Sequence, residues 1–281
     1  MINALTIDLE DWYHPEFVAK LVPGHQRKDQ IEDAVKPLLE LLDKYNISAT
    51  FFVLGQVAER HPELIETISK KGHEIASHGY SHKRLHELGK EKFEDDLRKS
   101  TKLLESIIKD KIIGFRAPSY SLDQDTIWAL DVIEATGYKY DSSVFPLRFR
   151  KKSLYGVHNA LLYPYSPSME DITMESDDRK IIEFPLSVVK FAGVKIPVAG
   201  GAYLRLFPAW FLRLAIKKIN KEKRPAIIYV HPWETYEKTP RIKLPYPHKL
   251  ITYYGIESSL KKVESLLKNF RFGNIRDILF H

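Results

Sequence analysis

The sequence contains no cysteine. That excludes disulfides, thiolate nucleophiles and cysteine-ligated zinc, so any metal would be held by nitrogen and oxygen donors. No run of about 18 apolar residues occurs, so no segment is predicted to span a bilayer. The first residues run straight into a strand-like segment, with no basic region and apolar core before it. No secretory signal is recognised, and a cytoplasmic location is the expectation. There is no internal repeat, no low-complexity tract and no linker-like stretch, so a single domain over residues 1–281 is expected. The excess of one charge sign is small as well: Lys+Arg 43 against Asp+Glu 37 leaves +6. No basic patch interleaved with aromatics accompanies that excess, so a nucleic-acid partner is not expected.

Hydrophobic residues make up 44% of the chain, which suits a globular core. Short apolar, β-branched runs alternate with helical spacing. Strands are predicted at residues 4–9, 48–55, 73–76, 112–116, 138–144, 181–186 and 226–231. Helices are predicted at 30–45 with Asp29 as N-cap, and at 62–71, 93–109, 126–136, 210–220 and 256–270. This alternation is the signature of a parallel α/β arrangement, and a nearly closed barrel fits it as well as an open sheet. Residues 146–179 break the pattern and are predicted to form a lid or a mobile stretch. The basic run Lys217-Lys218-Ile219-Asn220-Lys221-Glu222-Lys223-Arg224 reads as the solvated last turn of a helix.

The chain is organised around Ser77-His78-Gly79-Tyr80-Ser81-His82. Two imidazoles four apart could grip one metal ion if the segment coils for a turn. Among 11 histidines such a pair also arises by chance, so carboxylates from elsewhere must complete the site. Polar residues recur at the C-terminal ends of predicted strands: Asp8, His78 and His82, Arg116, Asp141 and His231. In parallel α/β folds those ends share one rim, where sites are built. Each residue alone has a bland reading, as a helix cap or an inter-element bridge.

Taken in order, five segments resemble the motifs of polysaccharide deacetylases, the carbohydrate esterases of family 4 with a NodB homology domain. They are Thr6-Ile7-Asp8-Leu9-Glu10-Asp11, the histidine segment, Phe115-Arg116-Ala117-Pro118, Tyr140-Asp141-Ser142-Ser143 and Val230-His231-Pro232. Gly200-Gly201-Ala202-Tyr203-Leu204-Arg205-Leu206-Phe207-Pro208 resembles the branch linked to exopolysaccharides. The resemblance implies a distorted (β/α) barrel of about seven strands. It also implies removal of acetyl from an N-acetylated saccharide with a divalent metal, Zn²⁺ first, with Co²⁺, Ni²⁺ or Mn²⁺ allowed by the ligand types. By the same resemblance Asp8 is the general base, Arg116 orients it, and His231 is the general acid. Asp141 would hold a histidine, His231 foremost. His78 and His82 are metal ligands, with Glu10 or Asp11 as the carboxylate.

Alternation along a strand favours Glu10, two residues from Asp8; an earlier strand end would favour Asp11. Tyr120 stands one place later than the family's usual tyrosine and, with Trp233, is a candidate substrate contact. Trp12, Tyr13, Tyr80 and Tyr203 also flank the motifs and could cover sugar faces. An allantoinase-like hydrolase of cyclic amides and a saccharide-binding protein without turnover are the alternatives, and a homo-oligomer is left open.

Overall fold

The computed structural model describes residues 1–147 and 156–281. Among them are ten strands: β1 (Ile2–Leu9), β2 (Thr50–Val53), β3 (Glu74–Ser77), β4 (Gly114–Phe115), β5 (Tyr140–Asp141), β6 (Ile182–Glu183), β7 (Val188–Phe191), β8 (Val194–Pro197), β9 (Ile227–Val230) and β10 (Arg271–Gly273). All but β7 and β8 join one parallel sheet. β1 pairs with three strands, β2, β9 and β10, and every residue after Ile2 is buried. Ala4, Leu5, Ile7 and Leu9 fill the core around it, and its buried polar side chains, Asn3, Thr6 and Asp8, are each hydrogen-bonded.

Thr6 and Ile7 pair with β2 on one side and β9 on the other. From β2 the sheet continues through β3, β4 and β5 to β6. β10 pairs with the first residues of β1 and ends against β2, where Ile275 N–H donates to Thr50 Oγ1 at 2.8 Å. Between β6 and β9 the wall is made by residues 184–201. Phe184 N–H bonds Asp141 O at 2.7 Å, Leu186 N–H bonds Val144 O at 2.9 Å, and Gly200 bridges Tyr229. The result is a curled half-barrel of seven parallel strands, with β10 as an added short strand.

Helices cover the outside. Ile31–Tyr45 buries Ile31, Val35, Leu38, Leu39 and Leu42 and ends at Asn46, whose φ of 51° is the left-handed C-cap conformation. Leu85–Ile108 starts earlier than the sequence suggests; Gly89, where φ is 69°, separates its first turn from the long helix that follows. The predicted strand 138–144 shrinks to two residues because Ser142 and Ser143 turn toward Arg116 and Ala117 instead of continuing the ladder. β10 and the antiparallel hairpin β7–β8 were not expected; each is too short to show a period of its own.

The stretch 146–179 is not a lid as far as it is described; residues 148–155 lie outside the described residues. Tyr165 bridges Glu183 of β6 and its hydroxyl donates to Ile172 O at 2.5 Å. Gln124 bonds both Glu170 O and Ile172 N, and Arg179 pairs with Asp131. These contacts hold the stretch against the outer wall, and none of its described residues lines the main cavity.

Candidate metal centre and catalytic site

β1 delivers Asp8 at its C-terminal end and Glu10 just beyond it. Glu10 N–H turns back onto Asp8 O at 2.9 Å, and both carboxylates are buried in the barrel mouth. β3 ends at Ser77, which places His78 on the adjoining loop. The loop does not coil as a helix: His82 reaches the site from a left-handed backbone, φ 56°. Strained non-glycine backbone of this kind persists where the surroundings over-determine it.

Glu10, His78 and His82 each offer a donor atom, and these atoms lie within 4.8 Å of one another. His82 Nε2 is 2.7 Å from Glu10 Oε2. His78 Nδ1 is 2.7 Å from Arg116 O, so it donates there and leaves Nε2 free as a ligand. Burial lowers the His78 imidazole to about 4, which keeps it neutral. Burial alone would raise the Glu10 carboxyl, but the charges of His82 and His231 override it and hold it well below the usual range. Two imidazole nitrogens and one carboxylate oxygen fit a divalent cation with positions left open.

Asp11 is not part of this cluster. Its Oδ1 accepts from Trp12 N–H at 2.9 Å and its Oδ2 from Gln30 N–H at 3.0 Å. The carboxylate is spent on fixing the turn after β1, and burial together with the nearby Asp29 charge raises it to about 7.

Asp8 sits beside the cluster, clamped. Arg116 Nη1 donates to Oδ1 at 2.6 Å, and the Tyr120 hydroxyl donates to Oδ2 at 3.2 Å. Arg116 is itself fully buried, bonded to Thr6 Oγ1 and to Ser142 O and Oγ, with its guanidinium 4.0 Å above the Phe52 ring. Ser119 and Tyr120 both have left-handed backbone, φ 56° and 52°, which turns the Tyr120 hydroxyl inward. Burial first, then the Asp8 charge, push that phenol well above its ordinary value, so it remains a donor. Tyr120 N–H is taken by Ala117 O at 3.1 Å and is not a free oxyanion donor.

His231 enters from the end of β9, with Nε2 3.4 Å from Glu10 Oε1 and 3.7 Å from Asp8 Oδ2. Asp141 does not touch it. Asp141 accepts from Ser143 Oγ at 2.6 Å, and Ser143 Oγ in turn accepts from Ala117 N–H, so Asp141 braces the loop after Arg116. The partner of His231 is Glu234, whose Oε2 lies 2.7 Å from Nδ1. Glu234 Oε1 is held by the buried Arg205 Nε at 2.9 Å. Sequence reasoning missed both residues, although an acid three places after the helix-capping His231 is a capping-box signal.

Burial would depress His231, but Glu234 and then Glu10 raise it to about 9. Glu234→Gln removes the largest of those charges. The His231 value should fall, and with it the alkaline limb of kcat/KM against pH should move to lower pH. kcat at neutral pH should drop about tenfold or more. An unmoved alkaline limb would remove Glu234 from this role.

His14, also missed, accepts Asp11 N–H at Nδ1 (2.7 Å), which puts its proton on Nε2, 5.5 Å ring to ring from His82. Tyr120, Tyr203 and Trp233 line the cavity. Trp12, Tyr13 and Tyr80 do not: Trp12 donates to Lys28 O, Tyr13 meets Arg60, and Tyr80 donates to Glu59. Trp233 lies flat against His231, rings 5.5 Å apart at 22°.

Two family models divide the chain. Residues 27–140 match "Polysaccharide deacetylase", and residues 142–280 match a domain of unknown function, DUF3473. Residues 27–140 are thereby identified as a polysaccharide deacetylase domain. It is 38% identical over 109 residues to the peptidoglycan deacetylase-like protein FGM2 of Gibberella zeae, covering 38% of this chain and 31% of that protein. It is 33% identical over 117 residues to a peptidoglycan-N-acetylglucosamine deacetylase of Bacillus cereus, covering 37% and 42%. The chain thus spans well under half of these relatives' own length.

In fold it resembles the crystal structure of a protein assigned as a polysaccharide deacetylase from Mycobacterium smegmatis, with a TM-score of 0.62 at 20% identity over 98% of this chain and 87% of that one. Puue allantoinase has the same fold, TM-score 0.60 at 14% identity, over 98% and 87%.

Set against the site, the family match contains His78, His82 and Arg116, while Asp8 and Glu10 precede it. His231, Glu234 and Arg205 fall in the DUF3473 segment, as do Phe145, Leu186, Tyr203 and Ile251 on the apolar wall of the cavity. The cavity measures about 390 Å³, within the range of sites that enclose small ligands. One sheet draws strands from both segments, so the two halves build a single rim.

Proposed function

We propose that the protein is a metal-dependent deacetylase of an N-acetylated saccharide, acting as one structural unit, with Zn²⁺ the foremost metal. The observation that carries this reading is the convergence of Glu10, His78 and His82 beside a clamped Asp8, with His231 Nε2 facing both carboxylates. Glu10, His78 and His82 would hold the cation. When bound, such a cation supplies Lewis acidity that lowers the pKa of water from about 15.7 toward 7 and polarises the acetyl carbonyl.

The chain's own residues do the rest. Asp8 takes the proton of the attacking water, with Arg116 and Tyr120 fixing the direction of its free electron pairs. The water oxygen bonds to the acetyl carbon, and the C–N bond breaks. His231 Nε2–H gives its proton to the departing nitrogen, and Glu234 stabilises the imidazolium before transfer. Acetate and a free amine result. Tyr203, Tyr229 and Trp233 offer aromatic surface to a pyranose ring.

The test is acetate release from N-acetylglucosamine oligomers by metal-stripped protein, before and after Zn²⁺ or Co²⁺, with allantoin in the substrate panel. Turnover restored by metal and lost in His78→Ala is expected. Equal turnover without metal, or hydrolysis of allantoin alone, would overturn the reading.

A further inference from the structure

No helix among the described residues is long and apolar enough to cross a membrane. One helix nevertheless presents an unusual outer stripe. Ala209–Lys221 turns Leu212, Ala215, Ile216 and Ile219 into the core. Trp210, Leu214, Lys217 and Lys221, spaced by four, three and four, follow one other face, and all four are exposed. The first half of that stripe is apolar and the second half cationic. Trp210 is 61% exposed, whereas Trp12 and Trp233 are buried and Trp128 is half-buried.

Further exposed apolar side chains stand in the segments next to this helix. Leu206 precedes it, and Arg205 ties the neighbouring segment in place through Ile251 O at 2.6 Å and Tyr254 O at 2.8 Å. Leu206, Ile251 and Tyr254 are all exposed, and the first two also line the catalytic cavity, so they stand at its mouth. Charge is segregated to the same part of the chain. Residues 205–254 hold eleven Lys and Arg against three Asp and Glu, while the other 231 residues hold 32 against 34. The net positive charge of the whole protein therefore originates in this segment.

We propose that this face docks on the surface of an anionic phospholipid bilayer, with the cavity mouth turned toward the lipid. Tryptophan and tyrosine suit the headgroup boundary, where one end of the ring is apolar and the other wet. Lysines beside them are attracted by anionic headgroups, each by enough to change affinity about fivefold. A second copy fits the face poorly, because a two-fold contact would set its own cations against these. The inference uses the surface alone and is independent of the reaction proposed above.

The experiment is flotation of the full chain with phosphatidylcholine vesicles, with and without about a third phosphatidylglycerol. Binding to the anionic vesicles, weakened by high salt and accompanied by a blue shift of tryptophan fluorescence, is expected. Trp210→Ser with Leu214→Ser, and separately Lys217→Glu with Lys221→Glu, should each weaken binding about tenfold or more. All four side chains are exposed and lie outside the cavity, so fold and turnover of a soluble substrate should be unchanged. The proposal fails if anionic vesicles do not bind the protein. It fails equally if both variants bind as well as the parent, or if Trp210 shifts on self-association without lipid.

Discussion

Replacing Asp8 with asparagine is expected to lower kcat about a thousandfold while leaving metal affinity within a few-fold of the parent. Replacing Glu10 with alanine should do the reverse in order of cause: metal affinity falls about a hundredfold or more, and activity falls because the site empties. The separation follows from where each oxygen points. Asp8 spends Oδ1 on Arg116 and meets Tyr120 and His231 through Oδ2, so it is held beside the cluster rather than within it. Glu10 shares the cluster with His78 and His82, its Oε2 lying 2.7 Å from His82 Nε2. Calorimetric titration of metal-stripped protein with Zn²⁺, run beside single-turnover acetate release, reads the two effects independently. If Asp8→Asn lost the metal and Glu10→Ala kept it, the assignment of base and ligand would be exchanged.

The residues that could be read from the sequence share one property: each sits at the end of a strand, where local pattern fixes position. Asp8, His78, Arg116 and His231 follow apolar runs whose C-terminal ends the parallel topology gathers on one rim. The choice between Glu10 and Asp11 could not be made that way, because it depends on which carboxylate the turn consumes. Trp12 N–H and Gln30 N–H take Asp11, and the second of these comes from 19 residues away.

Asp141 illustrates the same limit from the other direction. Its type and place in β5 suit a histidine partner, but Ser143 is two residues along and captures it. Glu234 then fills the role from a four-residue helix whose geometry no periodicity announces. The cavity wall was the least legible part. It comes from Phe145, Leu186, Tyr203 and Ile251, of which only Tyr203 stands beside a motif, and Gly200 lets the segment before Tyr203 lie against β9. A Cβ on Gly200 would fall 1.8 Å from Tyr229 O, so no other residue permits that approach.

Arg116→Met should destabilise the metal-free protein by about 3–5 kcal/mol. The Arg116–Asp8 pair is sealed from water, with side-chain exposures of 0% and 2%. The net worth of such a pair is small, because desolvation of two ions offsets most of their attraction. The cost of breaking it is large, because the other charge stays behind without a partner. Asp8 would then keep only the Tyr120 hydroxyl and, at 3.7 Å, His231 Nε2 against it, and Ser142 and Thr6 would lose their donor as well.

The expected fall in melting temperature is on the order of 10 °C for a chain of this size. Asp8→Asn alone should cost somewhat less, since the amide oxygen still accepts from Arg116 and the guanidinium keeps its bonds to Thr6 and Ser142. In the Arg116→Met background the same change should recover stability, because it removes the stranded charge. That reversal is the diagnostic result: a double-mutant cycle by urea denaturation should give a coupling of about 1–3 kcal/mol. Additive effects would mean that Arg116 holds the rim through Ser142 and Phe52 packing and not through the Asp8 carboxylate.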